Sequence, residues 1–309
     1  MKVGVVGCGL VGSAAAFAIV LTGSANALAM VDVNKDLAKA QAEDILHATP
    51  FAEALAISAG DYDTLAGCHL VIMACGVAQR PGESRLELLK RNANIFRDVI
   101  PNVLKFAPDS LLLIASNPVD ILTDVVARSF GLPQGRVFGS GTVLDTSRFR
   151  SLIGACFGVA AHSVHAYVIG EHGDSELLVW SSARVAGIPL EEFGKQVGAP
   201  LTHGMKADID ERVRRAAYRI IRGKGFTNYG IGAGLAKIAR VVRDDDRTVL
   251  TLSMPADSID GLDGVSLSLP RIVGAGGVLA TVNPPLSSEE NAALKKSAQV
   301  LREAKSGMI

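Results

Sequence analysis

The chain has 309 residues, enough for one large or two medium domains, and its 49% apolar and 20% charged content is ordinary for a folded globular protein. Its 31 basic and 31 acidic residues cancel, which argues against nucleic acid or a membrane surface as a whole-domain partner and leaves only local basic patches open. Four cysteines without CxxC or zinc-like spacing, and no secretory signal before the first apolar run, lead us to expect reduced thiols, no metal and a cytoplasmic protein; the longest apolar stretch, residues 14–21, falls short of the about 20 residues a bilayer requires.

Lys2–Val6 reads as a buried strand that runs into Gly7-Cys8-Gly9-Leu10-Val11-Gly12 and then a small-residue helix over residues 13–21. In a GxGxxG turn, Gly7 would make the tight bend, Gly9 would let the backbone approach a pyrophosphate, and Gly12 would let helix and strand pack closely. The helix N-terminus would add unpaired N–H groups and a positive dipole end. Alone, such a turn could serve packing only. A second apolar strand, Ala27–Val31, ends in Asp32, at the spacing of about 20 residues where a carboxylate bonds the adenosine ribose and repels a 2′-phosphate. The βαβ unit therefore points to NAD rather than NADP.

The alternation then continues: a helix over 36–48, a strand over 69–74, a long helix over 86–106 broken or bent near Pro101, and a strand over 111–115. Strands apolar throughout imply helices on both faces of a doubly wound parallel sheet, the Rossmann architecture. Ligands in such sheets bind at the carboxyl ends of the strands, here the loops 76–85 and 116–120. The first loop has a Pro-Gly turn and ends in Arg85, so it could close over a substrate and bring a guanidinium to developing negative charge. Taken alone it reads more simply as a surface loop with solvated arginines. Asn117, before Pro118, could bond a carbonyl or carboxamide, or merely start a turn.

Further on, Asp145 and Arg148 lie three residues apart on one helical face. They could form a surface ion pair worth only ~0.3 kcal/mol. They could instead have separate tasks, the carboxylate orienting an imidazolium and the guanidinium holding a substrate carboxylate. Gly170-Glu171-His172-Gly173-Asp174-Ser175 offers one histidine between glycines and acids. An unperturbed imidazole titrates near pH ~6.5 and can move protons in the cell, although a solvated loop histidine is the default. Residues 205–222 read as a long outer helix with a solvated side, and 249–253, 265–270 and 274–282 as an antiparallel sheet capped by a helix over 288–305. No repeat or low-complexity linker appears, and a boundary near Gly141 would divide the chain into a dinucleotide-binding domain, 1–141, and an α+β substrate domain, 142–309.

Together these motifs, with Ser116-Asn117-Pro118-Val119-Asp120, Asp145-Thr146-Ser147-Arg148 and Gly225-Phe226-Thr227-Asn228-Tyr229-Gly230, resemble the L-lactate dehydrogenase and malate dehydrogenase family, its bacterial lactate dehydrogenase branch in particular. The resemblance spans nearly the whole chain, and the start at the first strand without an N-terminal arm is similar to the bacterial members. It implies an NAD-dependent enzyme of fermentation and glycolysis that interconverts pyruvate and L-lactate. His172 would be the acid/base, Asp145 its partner, and Arg85 the group that polarises the carbonyl. Arg148, Asn117, Thr227 and Gln79 would meet the substrate. Gly7, Gly9, Val11, Gly12, Asp32, Tyr62, Gly76, Val77, Asn117 and Ser140 would hold NAD.

The same resemblance places Gln79 against carbon 3 of the substrate, where malate enzymes carry arginine. A neutral side chain there would leave the second carboxylate of oxaloacetate buried and unpaired, which costs several kcal/mol, so pyruvate is expected, although Arg80 lies directly alongside. Phe226 is bulkier than the alanine often found before the threonine and could narrow the pocket. Arg150 and His165 match positions that bind fructose 1,6-bisphosphate in allosteric members, which are homotetramers; singly each could be an ordinary surface residue. A malate dehydrogenase, or an NAD-binding protein without catalysis, are the alternatives.

Overall fold

The computed structural model describes residues 1–77 and 85–307 of the chain, with the side chain of Arg85 outside the described part. The first half alternates strand and helix: β1 (Lys2–Val6), α1 (Leu10–Leu21), β2 (Ala27–Val31), α2 (Lys35–Leu46), β3 (Ala56–Gly60), β4 (Leu70–Met73), α3 (Arg85–Phe106), β5 (Leu111–Ile114), α4 (Val119–Ser129) and β6 (Val137–Gly139). The strands pair in parallel in the spatial order β3, β2, β1, β4, β5, β6, the order of a doubly wound dinucleotide-binding sheet.

Side chains on each strand alternate between two buried layers, which is why these strands read as apolar throughout. Val3, Val5, Leu70 and Ile72 join Ile19, Val20, Leu235 and Val242 on one face. Val6, Val71 and Met73 join Phe96, Ile100, Leu122 and Leu294 on the other.

The second half adds α5 (Val143–Phe157), β7 (Val164–Ile169), β8 (Leu177–Val185), β9 (Ile188–Pro189), α6 (Leu190–Gln196), α7 (His203–Arg214), α8 (Ala216–Lys224), α9 (Tyr229–Asp244), β10 (Thr248–Pro255), β11 (Ser266–Gly274), β12 (Gly277–Thr281) and α10 (Ser288–Ser306). β10, β11 and β12 are antiparallel, as their turn-separated pattern indicates. They do not stand apart, however: Ser253 of β10 pairs with Gly139 of β6, which makes one sheet of nine strands among the described residues. A separate antiparallel sheet of β7, β8 and β9 covers α5 and α7 through Phe149, Ile153, Val168, Leu178 and Val213.

One helix differs from expectation, and in another a break is excluded where a break or a bend was expected. The stretch expected as one helix over 205–222 is two, α7 and α8, because the backbone leaves helical geometry at Arg215 (φ −92°, ψ 3°). The break lets α7 bury Ile209 and Val213 while α8 runs on with no buried residue. Conversely α3 runs unbroken through Pro101. A proline inside a helix costs about 3 kcal/mol; complete burial of Phe96, Ile100 and Val103 around it offsets that. Among the described residues no helix is long and apolar enough to cross a membrane, and all four cysteines are free.

The glycine turn after β1 is held by contact. A Cβ on Gly12 would lie 1.8 Å from the Gly7 carbonyl oxygen, whereas one on Gly9 would meet nothing within 4 Å among the described residues. Gly12→Ala should therefore lose roughly 1–3 kcal/mol through overpacking, seen as a lower thermal midpoint, while Gly9→Ala should melt close to the parent. Equal midpoints for the two variants would contradict this packing.

Candidate active site

At the carboxyl ends of β1 and β2 the chain forms a cradle for a dinucleotide. Gly7 takes φ +97°, and a Cβ there would come 2.5 Å from the Cys75 nitrogen, so the turn after β1 fits against the end of β4 only as glycine. Gly9 caps α1 without any side-chain bond, and among the described residues nothing lies within 4 Å of where its Cβ would be. The first-turn N–H groups, including that of half-buried Val11, are thus open to an anion. Asp32 follows β2 and accepts from the Cys8 N–H (2.6 Å) and the Asn34 N–H (2.8 Å). The nearby Tyr62 phenol is pushed up, first by burial and then by the charges of Cys75 and Asp32. The residues present therefore fit NAD: open backbone donors at the helix start, a glycine with room in front of it and a carboxylate at the end of the second strand.

The remaining cradle residues also sit at strand ends. Gly76 and Val77 follow β4, where the Val77 N–H donates to Asn92 Oδ1 (2.9 Å). The other end of that amide, Asn92 Nδ2, donates to the Asn117 carbonyl (3.2 Å) after β5. Asn92 thereby ties two loops of the cradle together. Ser140, after β6, is buried, and its N–H bonds the Ile114 carbonyl (2.9 Å).

The second half of the site is built around Asp145. It lies in the first turn of α5 and is only 2% exposed. One oxygen accepts from Arg148 Nη1 (2.7 Å) and the other faces His172 Nδ1 (2.6 Å). The pairing follows from how α5 meets β7. Thr142 Oγ1 donates to the Val168 carbonyl (2.5 Å), Thr146 Oγ1 accepts from the Val168 N–H (2.9 Å), and so α5 is fixed beside the strand that delivers His172. Gly170 then bridges to Ser268 of β11 at φ +90°, a turn that glycine permits and that aims residue 172 back at α5.

Electrostatics at this cluster follow from geometry. Burial alone would lower the His172 pKa, but the Asp145 carboxylate outweighs it and, with Asp120 and Glu176, raises it to about 9. The imidazole is not sealed off, since 29% of the side chain is exposed. Burial alone would raise Asp145; the charge and hydrogen bonds of His172 and Arg148 outweigh it and hold the carboxyl below the usual range. Such an arrangement can keep a protonated imidazole in one orientation, with Nδ1 engaged and Nε2 presented outward.

Two acids here had no role in the sequence reading. Asp120, buried in the first turn of α4, accepts the His172 N–H (2.7 Å), and burial pushes its pKa up to about 6. It brings His172 to the loop that carries Asn117, three residues earlier. Asp120 was visible as part of the Asn117-Pro118-Val119-Asp120 motif. Glu176 sits beside the cluster, 4% exposed, and only its position four residues after His172 marks it in the sequence.

Other candidates are placed differently. Gln79 lies outside the described residues, as does the side chain of Arg85. Thr227 is half-buried in the loop between α8 and α9. Arg150 is held on the Ala166 carbonyl (2.8 Å) and over the Tyr167 ring, next to exposed His165 on β7.

Comparison with known proteins is consistent with this geometry. Residues 1–139 match the NAD-binding domain of lactate/malate dehydrogenases, and residues 142–308 match their alpha/beta C-terminal domain. An L-lactate dehydrogenase of Thermus aquaticus is 56% identical over 308 residues, covering 100% of this chain and 99% of that one. One from Deinococcus radiodurans is 51% identical, covering 98% and 97%. Among solved structures, a minor L-lactate dehydrogenase from Enterococcus mundtii superposes with a TM-score of 0.95 at 36% identity, covering 100% of this chain and 98% of that one. A lactate dehydrogenase from a deep-sea metagenome library does so with a TM-score of 0.95 at 37% identity, covering 99% and 98%. The chain belongs to the lactate/malate dehydrogenase family.

Replacing Asp145 by Asn removes the charge and keeps the shape. The His172 pKa should then fall by about one to three pH units, measured as the pH dependence of diethylpyrocarbonate modification at that residue. An unmoved midpoint would contradict the pairing.

Proposed function

We propose, from this membership, that the protein is an NAD-dependent L-lactate dehydrogenase that moves a hydride reversibly between NADH and pyruvate to give L-lactate. The observation that carries the acid/base reading is the buried Asp145 carboxylate shared between His172 Nδ1 and Arg148 Nη1. Gly7, Gly9, Val11 and Gly12 would hold the pyrophosphate, Asp32 and Tyr62 the adenosine side, and Gly76, Val77, Asn117 and Ser140 the remainder of NAD. When bound, the nicotinamide supplies the hydride.

The chain's own residues then have separate tasks. His172, protonated, gives its Nε2 proton to the carbonyl oxygen; in lactate oxidation it starts neutral and takes that proton back. Asp145 holds Nδ1 and keeps the imidazolium stable. Arg148 keeps donors beyond the one bonded to Asp145, and these would pair the substrate carboxylate. Arg85 would polarise the carbonyl as negative charge grows, with Asn117 and Thr227 completing the pocket. Gln79, being neutral, offers nothing to a second carboxylate, which favours pyruvate over oxaloacetate.

The finer reading is a cytoplasmic homotetramer in which copies of Arg150 and His165 bind fructose 1,6-bisphosphate. What supports it is that Arg150, on α5, bonds the carbonyl of Ala166, the residue after His165 on the adjoining strand. An activation curve at low pyruvate that is unchanged by the sugar bisphosphate would remove that reading.

The sign of the pH dependence is fixed by the raised imidazole pKa. Pyruvate reduction needs the protonated form, so kcat/KM should hold on the acid side and fall as pH rises through about 9; lactate oxidation should do the reverse. His172→Asn should lower kcat/KM for pyruvate by about 10² to 10⁴, and a smaller loss would contradict its role. In NADH oxidation assayed with both keto acids, Gln79→Arg should raise the ratio of oxaloacetate to pyruvate turnover. An unchanged ratio would exclude residue 79 as the selector.

A further inference from the structure

The reading of His172 as the proton donor leaves one buried acid beside it without a task. Glu176 is 4% exposed, and its Oε1 has no hydrogen-bond partner among the described residues. A carboxyl oxygen of Glu176, one of Asp145 and a ring nitrogen of His172 all lie within 4.8 Å of one another. An unpartnered carboxylate at such depth would carry a large desolvation penalty, so the site must offer it either a proton or a cation.

The surrounding groups decide which. From α5 come the Asp145 carboxylate and the Arg148 guanidinium, already bonded to each other. From the loop comes the His172 imidazole, whose Nδ1 faces Asp145. From α7 comes Arg214, whose Nη1 donates to the backbone carbonyls of Asp174 and Glu176, while its Nε and Nη2 bond Asp210. From α4, Asp120 adds negative charge near His172. Among the described residues neither arginine bonds the Glu176 carboxyl, since Arg148 is taken by Asp145 and Arg214 by Asp210 and two backbone carbonyls, and Asp145 repels its charged form. Burial and then Asp145 accordingly raise its pKa above the usual carboxylate range, while His172, Arg214 and Arg148 pull the other way.

We propose that Glu176 is a positioning residue for the proton of His172: a second carboxyl that is neutral at low pH and becomes negative beside the imidazolium as pH rises, extending the alkaline range over which pyruvate can be reduced. The inference rests on the acid/base reading of His172. Glu176 would touch neither substrate nor cofactor; it acts through the imidazole. The coupling is mutual, since each group's charge changes the other's proton affinity.

The test uses the full-length enzyme and two readouts. In Glu176→Gln the alkaline limb of kcat/KM for pyruvate should move down by about one pH unit, with the acid-side plateau kept, and Glu176→Asp should restore part of the range. A loss of activity equal at every pH, with the limb unmoved, would show a merely structural role and overturn the proposal. The second readout needs no functional variant. Infrared spectra of the parent enzyme at neutral pH should contain the C=O stretch of a protonated carboxyl that disappears as pH rises; its absence overturns the proposal. That band is independent of which group donates the catalytic proton. An alkaline limb that survives replacement of His172, with the band present, would instead overturn the acid reading on which the proposal rests.

Discussion

A single buried carboxylate organises the chemistry. Asp145, 2% exposed, would be costly to ionise alone at its depth, and it is stable as an anion because it has a cation on each oxygen, Arg148 on one and His172 on the other. The dependence runs both ways. The carboxylate engages Nδ1 and raises the proton affinity of the imidazole, and the two cations keep the carboxylate from protonating. Removing either cation leaves the carboxylate with one partner instead of two, and removing the carboxylate leaves both cations without theirs.

The scaffold serves this triad. The parallel sheet brings the ends of β1, β2, β4 and β5 to one edge, where the glycine turn, Asp32 and the Asn92 tie form the dinucleotide cradle. The antiparallel β7 brings His172 from the other half of the chain, and Thr142 and Thr146 hold α5 against it. Asp120 closes the gap, because its carboxylate sits at the start of the helix after β5 and accepts the His172 N–H. In the proposed reaction a hydride donor and a proton donor meet over one carbonyl, and the Asp120 bond brings the loop of Asn117 to His172.

Much of the fold was legible because strands buried on both faces are apolar throughout and punctuated by glycine. The glycine turn after β1 was legible too, and Gly7 and Gly12 are required there by contacts of 2.5 Å and 1.8 Å that any Cβ would make. Less legible were features set by tertiary packing. Nothing local to Pro101 reveals that a buried apolar face carries the helix through it, and nothing local to Arg215 shows that the chain bends there. The merging of β10 with β6 depends on one residue pair, Ser253 with Gly139, far apart in sequence. Within the site, Asp145 and Arg148 showed their spacing on one face, but the partner of that face, 27 residues on, was suggested by family resemblance and not by any local pattern. Glu176 looked like one more acid in a polar loop, and only its burial sets it apart.

Whether Asp145 holds the proton on His172 in the resting enzyme is read by nitrogen-15 NMR of the histidine side chains across a pH titration. The His172 ring should carry a proton on both nitrogens at neutral pH, with its Nδ1 proton strongly deshielded by the carboxylate and a midpoint at about 9. A His172 resonance that titrates at or below the ordinary imidazole value of ~6.5, with no hydrogen-bonded Nδ1 proton, would contradict it.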